Sequence, residues 1–412
     1  MEIYLVGGAV RDQLLGYPFK DKDYVVVGAT VDNMLQRGFT PVGKGFPVFL
    51  HPESKAEYAL ARTERKTGVG YKGFEIYASP EVTLEQDLQR RDLTINAMAQ
   101  QANDLVDPYG GKADLDAKIL RHVSPHFKED PLRVLRVARF ASRYAHLGFK
   151  VAPETMRLMQ EMVNSGELTA LTAERVWQEI SRSLGERSPD VFFDVLRQCG
   201  ALSVILPEIE ALFGVPQPEK HHPEVDTGVH TMMVLHQAVR LSDSTAVRFA
   251  ALVHDIGKGL TKAENWPSHY GHETKGLVAL RALAKRLRIP NEYVGLAEKV
   301  MEYHTHCHRA FELKAATLLK MLEALGVFRQ PEKLTPFLLA CEADSRGRQG
   351  FEDKAYPQAR WVKEAYLVAS EVDPQEFIEQ GLVGKEIGDE IHGRRLEVIQ
   401  KLKKTMGLKW PI

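Results

Sequence analysis

The sequence predicts an α+β fold, in which a small mixed-sheet head precedes a mostly α-helical remainder. In the first part of the chain, short apolar or β-branched runs bounded by glycines alternate with helical stretches. From about residue 112 onward, apolar residues recur every three or four positions, which is the spacing of amphipathic helices. Strands are therefore expected mainly in the head.

The elements of the head are predicted in order from these runs. Strands are expected at residues 3–6, 23–27, 48–51, 57–62 and 74–77, and helices at residues 10–15 and 84–99. A Gly-rich break at residues 68–73 is either a mobile element or a simple hairpin connection. The Pro-rich stretch at residues 215–224 is the best candidate for a linker.

Length and composition exclude several classes of protein. The 412 residues are 44% hydrophobic and 26% charged, which is an ordinary balance for a globular chain of several domains. No apolar run approaches the roughly 18 residues that cross a bilayer, so no membrane association is expected. The 3 cysteines are far apart and no signal peptide is recognised, which favours a cytoplasmic location. The net charge of −1 by itself argues against a nucleic-acid partner.

A glycine turn opens the head. Gly7 and Gly8 stand between the first predicted strand and helix, with Arg11 one turn into that helix. Glycines here let the backbone approach a phosphate, whose charge a helix N-terminus favours. Arg11 is placed to bind a phosphate oxygen. A plain tight turn is the alternative interpretation.

Two carboxylates follow the turn. Asp21 and Asp23 stand at i and i+2 at the start of a strand, so their side chains share a face. Two such like charges repel unless a cation lies between them, and hard oxygen ligands favour Mg²⁺. A solvated strand start is the alternative, but the preceding turn favours a metal site for nucleotidyl transfer. Glu64 is a candidate third carboxylate, although a surface position is the favoured interpretation.

Two groups of arginines come next. Arg90 and Arg91 are suited to a triphosphate, although Arg91 alternatively pairs with Asp87 one helical turn earlier. Asn96 is a candidate turn anchor. Residues 129–140 then begin a helix in which Asp130 is the predicted N-cap.

That helix carries an arginine stripe. The arginines recur three or four residues apart on one face, at Arg133, Arg136, Arg139 and Arg143. Apolar residues, Phe140 among them, are expected on the opposite face. Residues 118–150 contain eight Lys or Arg against two acids, which the neutral total conceals. A basic surface helix is the alternative, but beside a metal site the stripe favours binding of phosphates and nucleobases.

These motifs, in this order, resemble those of the class II tRNA nucleotidyltransferase and bacterial poly(A) polymerase family. The matching segments are LVGGAVRD, DKDYVVVG, ARTERK, RRDLTINAMA, DLVDPYGG and EDPLRVLRVARFA. The resemblance implies a nucleotidyltransferase head over residues 1–125. It also implies a helical neck and body over residues 126–222 that bind the nucleotide base and the tRNA acceptor arm.

The resemblance also implies residue roles. Asp21 and Asp23 would be the catalytic carboxylates that hold Mg²⁺. The incoming ATP or CTP would be bound by Gly8, Arg11, Arg91, Asp130, Arg133, Arg136 and Arg139. In the family, an Asp and an Arg at the positions of Asp130 and Arg133 recognise the base. An Asp accepts from an exocyclic amine and an Arg donates to ring acceptors, which suits adenine and cytosine but not guanine or uracil.

A second group of residues, rich in histidine, lies between about residues 225 and 350. An adjacent His-Asp pair follows an apolar helix, and further histidines and an aspartate surround it in sequence. The six residues are His230, His254, Asp255, His272, His304 and Asp344. His and Asp together suit a divalent metal of intermediate hardness, which would activate water for phosphohydrolysis. A lone helical histidine is more often structural, but six residues in this order favour a metal site.

This pattern resembles that of the HD phosphohydrolase superfamily, and Lys258 completes its HDxGK form. The resemblance implies an HD domain over residues 223–350, followed by a helical tail over residues 351–412. The implied ligands of Ni²⁺ or another divalent metal are His230, His254, Asp255 and Asp344. Residues implied for a second metal or the phosphate are His272, His304 and Lys258. His306 and His308 are interpreted as a partly exposed helix end, and His221 and His222 as without a chemical role.

Together the resemblances imply an enzyme that adds CCA to the 3′ end of tRNA from CTP and ATP, as a monomer or homodimer. The HD domain would add 2′,3′-cyclic phosphodiesterase, 2′-nucleotidase and phosphatase activities. A poly(A) or A-adding polymerase of the same family is the enzymatic alternative. The non-enzymatic alternative is an RNA-binding protein with a degenerate nucleotidyltransferase fold.

Overall fold

The computed structural model describes residues 1–19, 22–42, 48–66, 74–220 and 222–406. The chain divides into two compact units, Met1–Ile205 and Leu206–Ile412. The first unit contains the sheet, and helices dominate the second, so the predicted α+β class is confirmed. Each unit is described separately below.

The strands of the first unit form a mixed sheet. Its described strands are β1 (Glu2–Val6), β2 (Asp23–Val27), β3 (Thr40–Val42), β4 (Val48–Leu50), β5 (Glu57–Leu60), β8 (Ala99–Gln101) and β9 (Asp104–Val106). They lie in the order β3-β4-β5-β2-β1-β8-β9. Strand β2 pairs antiparallel with β1 and parallel with β5, which makes the sheet mixed. Two smaller pairs are β6 (Arg62–Lys66) with β7 (Phe74–Ala78), and β10 (Ile119–Leu120) with β11 (Lys150–Val151).

Alternation along the central strands gives the sheet two apolar faces. Successive strand residues point to opposite faces, so Val25 packs in one core with Val6 and Leu88 while Val26 packs in another with Met34. The register pairs Val6, the last residue of β1, with Asp23, the first of β2. This pairing brings Asp23 beside the glycine turn that follows β1.

Helices complete the first unit. They are α1 (Gly8–Leu14), α2 (Val31–Gln36), α3 (Leu84–Gln89), α4 (Gly111–Ala117), α5 (Leu132–Tyr144), α6 (Pro153–Asn164), α7 (Ala173–Leu184), α8 (Pro189–Gln198) and α9 (Ala201–Ile205). Helix α5, which carries the arginine stripe, packs against α7 and α8. The helix predicted for residues 84–99 is wrong in its second half, because α3 ends at Gln89. There the backbone pairs with a distant segment instead: Thr94 N–H donates to Arg121 O at 2.9 Å.

The second unit is a helical bundle. Its described helices are α10 (Pro207–Glu210), α11 (Thr227–Leu241), α12 (Thr245–Val253), α13 (His272–Leu287), α14 (Asn291–His308), α15 (Ala315–Leu325), α16 (Leu334–Arg346), α17 (Pro357–Ser370), α18 (Gln375–Glu379) and α19 (Lys385–Met406). Helices α11, α12, α14 and α16 pack together, with Val234, Ala251 and Ala343 at their centre. Every helix within the described ranges is too short or too polar to cross a bilayer.

Candidate active sites

The first unit has a polar cavity of about 610 Å³ beside the end of β1. The glycine turn, the start of β2 and the side chains of α5 surround it. Its lining includes Gly7, Gly8, Arg11, Asp23, Arg91, Asp92, Asn96, Asp130, Arg133, Arg136, Arg139, Phe140 and Arg175. The structure therefore brings together all the described residues for which nucleotide binding was predicted.

The glycine turn leaves room for a guanidinium group. Gly7 has φ of +68°, in the left-handed region, and a Cβ there would lie 2.8 Å from Nη1 of Arg91. A larger residue at position 7 would therefore strain the backbone and displace Arg91 from the cavity wall.

Arg11 is buried and held by a fixed network. Its Nε and Nη2 donate to the two carboxylate oxygens of Asp12 at 2.8 and 3.0 Å, and Nη1 donates to Oδ1 of Asn96. The Tyr144 hydroxyl donates to Asp12 at 2.8 Å. Asn96 in turn donates to Asp92 at 2.9 Å, so its side chain links two ion pairs rather than only anchoring a turn.

Arg91 forms the predicted ion pair and also lines the cavity. Its Nη2 lies 3.2 Å from Asp87, the predicted partner one turn earlier, and the same arginine lines the cavity. Arg90 also pairs with Asp87, at 2.7 Å. Burial would raise the pKa of Asp87, but the two guanidinium groups lower it below its ordinary value.

The arginine stripe of α5 faces the cavity and not bulk solvent. Most of these arginines form an ion pair with an acidic side chain: Arg136 with Asp92 at 2.7 Å, Arg139 with Glu179 at 2.6 Å, and Arg143 with Asp12 at 3.4 Å. These pairs hold the guanidinium groups in one orientation. The alternative of a basic surface helix is therefore wrong.

Phe140 was expected opposite the arginines, and this expectation is wrong. Its ring centre lies 4.5 Å from the guanidinium carbon of Arg139 and 5.2 Å from that of Arg11. Phe140 is four residues after Arg136 and seven after Arg133, which is about one and two helical turns, so all three share a face. The ring forms part of the cavity wall.

Asp130 and Arg133 are both oriented by neighbours. The Asp130 carboxylate accepts from Leu132 N–H at 3.0 Å and from Arg175 at 2.8 Å, but the N-cap of α5 is Pro131 and not Asp130 as predicted. Sequence reasoning missed Arg175, because it belongs to the distant helix α7. Arg133 donates to the carbonyls of His126 and Arg90, which keeps its guanidinium group at the cavity edge.

Of the predicted Mg²⁺ ligands, Asp23 lies at the cavity and Asp21 lies outside the described residues. The Glu64 side chain and the Gly-rich stretch 68–73 also lie outside them, although the flanking strands β6 and β7 pair as an antiparallel hairpin. Asp23 fits a magnesium site, because Mg²⁺ is usually held by one or two carboxylates and by substrate phosphates.

The second unit has its own cavity, of about 290 Å³. Histidines from several helices converge on it, together with two aspartates and a lysine. Its lining is His222, Asp255, Lys258, His272, His304, Thr305, His308, Asp344, Ser345, Arg348, Tyr356 and Gln358. His230 and His254 lie directly behind this surface, 3.1 and 3.5 Å from Oδ1 of Asp344.

The six predicted metal-site residues form two adjoining groups. One group is His230, His254 and Asp344, and the other is Asp255, His272 and His304. The potential ligand atoms within each group lie within 4.8 Å of one another. Asp255 therefore groups with the residues predicted for a second metal or phosphate, although its Oδ2 lies only 3.1 Å from His254 Nε2.

The four histidines of these two groups are oriented alike. Each places Nδ1 about a hydrogen bond from a backbone carbonyl: His230 at Gly347 O (3.0 Å), His254 at Ala251 O (2.8 Å), His272 at His269 O (3.0 Å) and His304 at Val300 O (3.0 Å). A carbonyl can only accept, so Nδ1 carries a proton in each ring, and loss of the second proton would free the lone pair of Nε2 for a cation. This is the arrangement that metal-binding histidines require.

The buried charged groups around His254 also indicate that a cation fits this site. The Nε2 atoms of His254 and His272 are buried and face the Asp255 carboxylate at 3.1 and 3.3 Å, but within the described residues neither they nor Oδ1 of Asp255 form a hydrogen bond of good geometry. Burial would lower the pKa of His254, but Asp255 and Asp344 raise it to about 10. The two carboxylates therefore stabilise positive charge at this position. A divalent cation held by these nitrogens and oxygens would supply it.

Two glycines allow the necessary close approach. The backbone of Gly257, just after the His-Asp pair, passes so near the start of α13 that a Cβ would overlap the carbonyl of His272. A Cβ at Gly347 would overlap Val234 of α11. Both glycines thus bring ligand-bearing segments together.

Lys258 lies at the cavity as predicted and is nearly buried. Its Nζ is 2.6 Å from Oδ2 of Asp255 and donates to Oε1 of Gln217 at 2.6 Å. The ammonium group therefore orients Asp255 as well as presenting positive charge to the cavity.

Two histidines that were set aside belong to this site. His308 is the last residue of α14 and is partly exposed, as predicted, but its Nε2 also lies 2.6 Å from Oδ2 of Asp344. Its position four residues after His304 was the available signal. His222 lines the cavity with Nδ1 at 3.1 Å from Glu224, whereas His221 lies outside the described residues.

Comparison with known protein families gives three matches along the chain. They are the poly A polymerase head domain over residues 3–121, the probable RNA- and SrmB-binding site of polymerase A over residues 148–213, and the HD domain over residues 227–333. The α5 arginines fall between the first two matches, and Asp344 and Tyr356 lie beyond the third.

Whole-chain relatives are also found. A multifunctional CCA protein of Thioalkalivibrio sulfidiphilus is 59% identical over 99% of this chain and 100% of its own length. That of Vibrio vulnificus is 60% identical over 97% of this chain and 98% of its own.

Solved structures share the fold. A CCA-adding enzyme in complex with CTP matches with a TM-score of 0.64 at 20% identity, over 98% of this chain and 90% of that one. The Thermotoga maritima CCA-adding enzyme complexed with tRNA matches with a TM-score of 0.62 at 19% identity, over 98% and 91% of the two chains.

Proposed function

The chain belongs to the multifunctional CCA protein family, as a nucleotidyltransferase with an HD domain, and on that premise we propose that it adds C, C and A to the 3′ end of tRNA from CTP and ATP. The observation that carries this proposal is the convergence of the glycine turn, Asp23 and the α5 arginines on one cavity. Its volume of about 610 Å³ is within the usual range for small-molecule sites.

The arginines are assigned to the triphosphate. Arg11, Arg91, Arg136 and Arg139 carry planar, permanently charged groups that match phosphate geometry. Their carboxylate partners keep these groups oriented before the nucleotide arrives, which lowers the entropic cost of binding. The 3′ hydroxyl oxygen of the RNA then attacks the α-phosphorus, and the bond to pyrophosphate breaks. Mg²⁺ held by Asp21 and Asp23 would supply charge stabilisation for this exchange.

Base selection is assigned to Asp130 and Arg133. The carboxylate can accept from the exocyclic amine that cytosine and adenine share, and the guanidinium group can donate to their ring nitrogens. Arg175 and the Leu132 N–H orient the carboxylate for this contact. Guanine and uracil present the opposite pattern at this edge, so the same pair would exclude GTP and UTP.

One assay separates this function from poly(A) or A-adding synthesis. Purified protein is incubated with CTP alone and with tRNA that lacks its terminal CCA. We expect extension by two residues; a polymerase specific for ATP adds none. Dependence of extension on a divalent cation excludes a protein that merely binds RNA.

For the second unit we propose hydrolysis of 2′,3′-cyclic phosphates, together with 2′-nucleotidase and phosphatase activity, with Ni²⁺ or another divalent metal. The oriented histidines and the two buried carboxylates support a cation site, whose Lewis acidity would activate water. The Lys258 ammonium group lines the cavity, which supports its assignment to a phosphate oxygen. Hydrolysis of a cyclic phosphate to a 2′-phosphate would free the 3′ hydroxyl for addition, and the 2′-nucleotidase activity would remove the remaining phosphate. Hydrolysis of a 2′,3′-cyclic mononucleotide that is abolished by a chelator and restored by Ni²⁺ tests the proposal.

The proposed substrate also indicates the cellular location of the enzyme. Because tRNA is a cytoplasmic molecule, we place the protein in the cytoplasm.

A further inference from the structure

A hydrogen-bonded series of three side chains ends at the cation site of the second unit. The Tyr356 hydroxyl lies 2.9 Å from Nδ1 of His308, and Nε2 of His308 lies 2.6 Å from Oδ2 of Asp344. The three residues come from the start of α17, the end of α14 and the end of α16.

The direction of donation follows from the chemistry of the groups. A carboxylate only accepts, so the proton of the His308 ring lies on Nε2 and points at Asp344. Nδ1 then accepts from the hydroxyl of Tyr356. Burial raises the pKa of Tyr356 far above its ordinary value, which keeps the phenol protonated as a donor. Both ring nitrogens of His308 are thereby engaged within the protein.

Asp344 uses its two oxygens for different purposes. Oδ2 accepts from His308, whereas Oδ1 faces His230 Nε2 at 3.1 Å and His254 Nε2 at 3.5 Å. Oδ1 is thus the oxygen directed at the proposed cation. Without His308, rotation of the carboxylate would no longer be restrained at Oδ2.

We propose that His308 and Tyr356 are positioning residues of the cation site. Tyr356 orients the His308 ring, and His308 holds Asp344 so that Oδ1 is presented to the metal together with His230 and His254. A histidine whose ring nitrogens both have protein partners is suited to orienting a ligand rather than to exchanging protons with substrate. The inference rests on the proposed metal dependence of this cavity and extends it beyond residue 333, where the HD match ends.

The test measures metal binding directly. Full-length protein freed of metal is titrated with Co²⁺ alone, and affinity and the visible absorption spectrum are recorded with no substrate present. His254→Ala identifies the signal that belongs to this site. Removing an outer partner of a metal ligand typically costs 10- to 100-fold in affinity, and we expect this loss for His308→Ala.

Two conservative variants separate positioning from packing. In His308→Gln the side-chain amide can still donate to Oδ2, so most of the affinity should return. Tyr356→Phe removes only the hydroxyl and should weaken binding about three- to tenfold, as for loss of one hydrogen bond. If Tyr356 acts through His308, it adds nothing further in the His308→Ala background.

His306→Ala is the matched control. His306 lies on the same helix, packs its ring against Tyr303, and is absent from the cavity lining among the described residues. Its replacement should leave Co²⁺ affinity unchanged.

The inference is overturned by unchanged affinity in His308→Ala, by failure of His308→Gln to recover it, or by a wild-type protein that binds no Co²⁺ here. Circular dichroism verifies that each variant is folded. If wild-type and variants bind as expected but cyclic phosphates are not hydrolysed, only the proposed function fails. If instead every variant hydrolyses cyclic phosphates and binds Co²⁺ with normal affinity, only the positioning role is rejected.

Discussion

Arg136 of α5 forms an ion pair with Asp92, 44 residues earlier in the chain, at 2.7 Å between Nη2 and Oδ2. Both line the nucleotide cavity. Burial would raise the pKa of Asp92, but Arg136 lowers it well below the ordinary value, so the carboxylate stays charged. The same carboxylate accepts from Asn96, which also contacts Arg11. Asp92 therefore connects two of the arginines assigned to the triphosphate.

Asp92→Asn should weaken this connection without removing any phosphate-binding group. A misplacement of about 1 Å at a reacting centre can cost about 100-fold, so we expect kcat/KM for CTP to fall 10- to 100-fold. Single-turnover addition to tRNA lacking CCA measures the effect. Asp116→Asn, which breaks an exposed pair with Lys112, is the control and should leave the rate unchanged. A normal rate in Asp92→Asn would refute the positioning role.

Asp21→Ala and Asp23→Ala should each abolish nucleotide addition, because each removes a carboxylate assigned to Mg²⁺. Hydrolysis of 2′,3′-cyclic phosphates should persist in both variants, since its residues belong to the second unit. Both activities are measured on the same preparation. Retained incorporation of CTP in both variants contradicts the metal-site assignment.

His254→Ala and Asp255→Ala should have the converse effect. Each removes a proposed metal ligand, so cyclic phosphodiesterase activity should be lost. Addition of CCA should be spared. Loss of both activities would instead show that this region supports the polymerase structurally.

Asp130→Asn tests base selection while retaining the hydrogen bond from Leu132 N–H, because the amide oxygen of Asn can accept it as the carboxylate does. It replaces an acceptor with a donor at the base edge. We expect incorporation of CTP to fall about 10- to 100-fold relative to UTP, as for loss of a charge-assisted hydrogen bond. The ratio of kcat/KM values for the two nucleotides reports this. An unchanged ratio would assign selection to other residues.

Gly257→Ala should disrupt the metal site of the second unit. The added methyl group would overlap the His272 carbonyl, and overpacking of this kind costs about 1–3 kcal/mol. Denaturant unfolding and cyclic phosphate hydrolysis should both show the loss. Gly388→Ala, in helix α19, is the matched control: apart from the backbone of its own helix, no atom of the described residues lies within 4 Å of a Cβ built there. That change should stabilise the helix by up to about 1 kcal/mol.

Local patterns were sufficient where the signal is local. The Gly7-Gly8 turn and the spacing of the α5 arginines are evident in short segments, and the structure contains both; the start of α5 was predicted one residue too early, because its N-cap is Pro131. The helix predicted through residue 99 failed because its backbone pairs with residues 121–123, a partner that no local pattern reveals. Phe140 was expected on the wrong face of the helix, although its spacing of four residues from Arg136 and seven from Arg133 indicates the face that carries the arginines.

The partners of the charged groups were accessible only from the structure. His230 contacts Gly347 and Asp344, more than a hundred residues away in sequence, and Arg175 reaches Asp130 from another helix. His308 appeared to be a helix end in the sequence, and only the packing of α14 against α16 and α17 brings it to Asp344 and Tyr356.

The sequence by itself determined the kinds of chemical groups and their local geometry: carboxylates and arginines in the head, histidines and aspartates in the second unit. Helical periodicity and capping depend on residues a few positions apart, so a short segment of sequence is enough to predict them. The tertiary structure decided which groups share a cavity and which oxygen or nitrogen each presents. Orientation depends on hydrogen bonds between distant segments, and these form only when the whole unit packs.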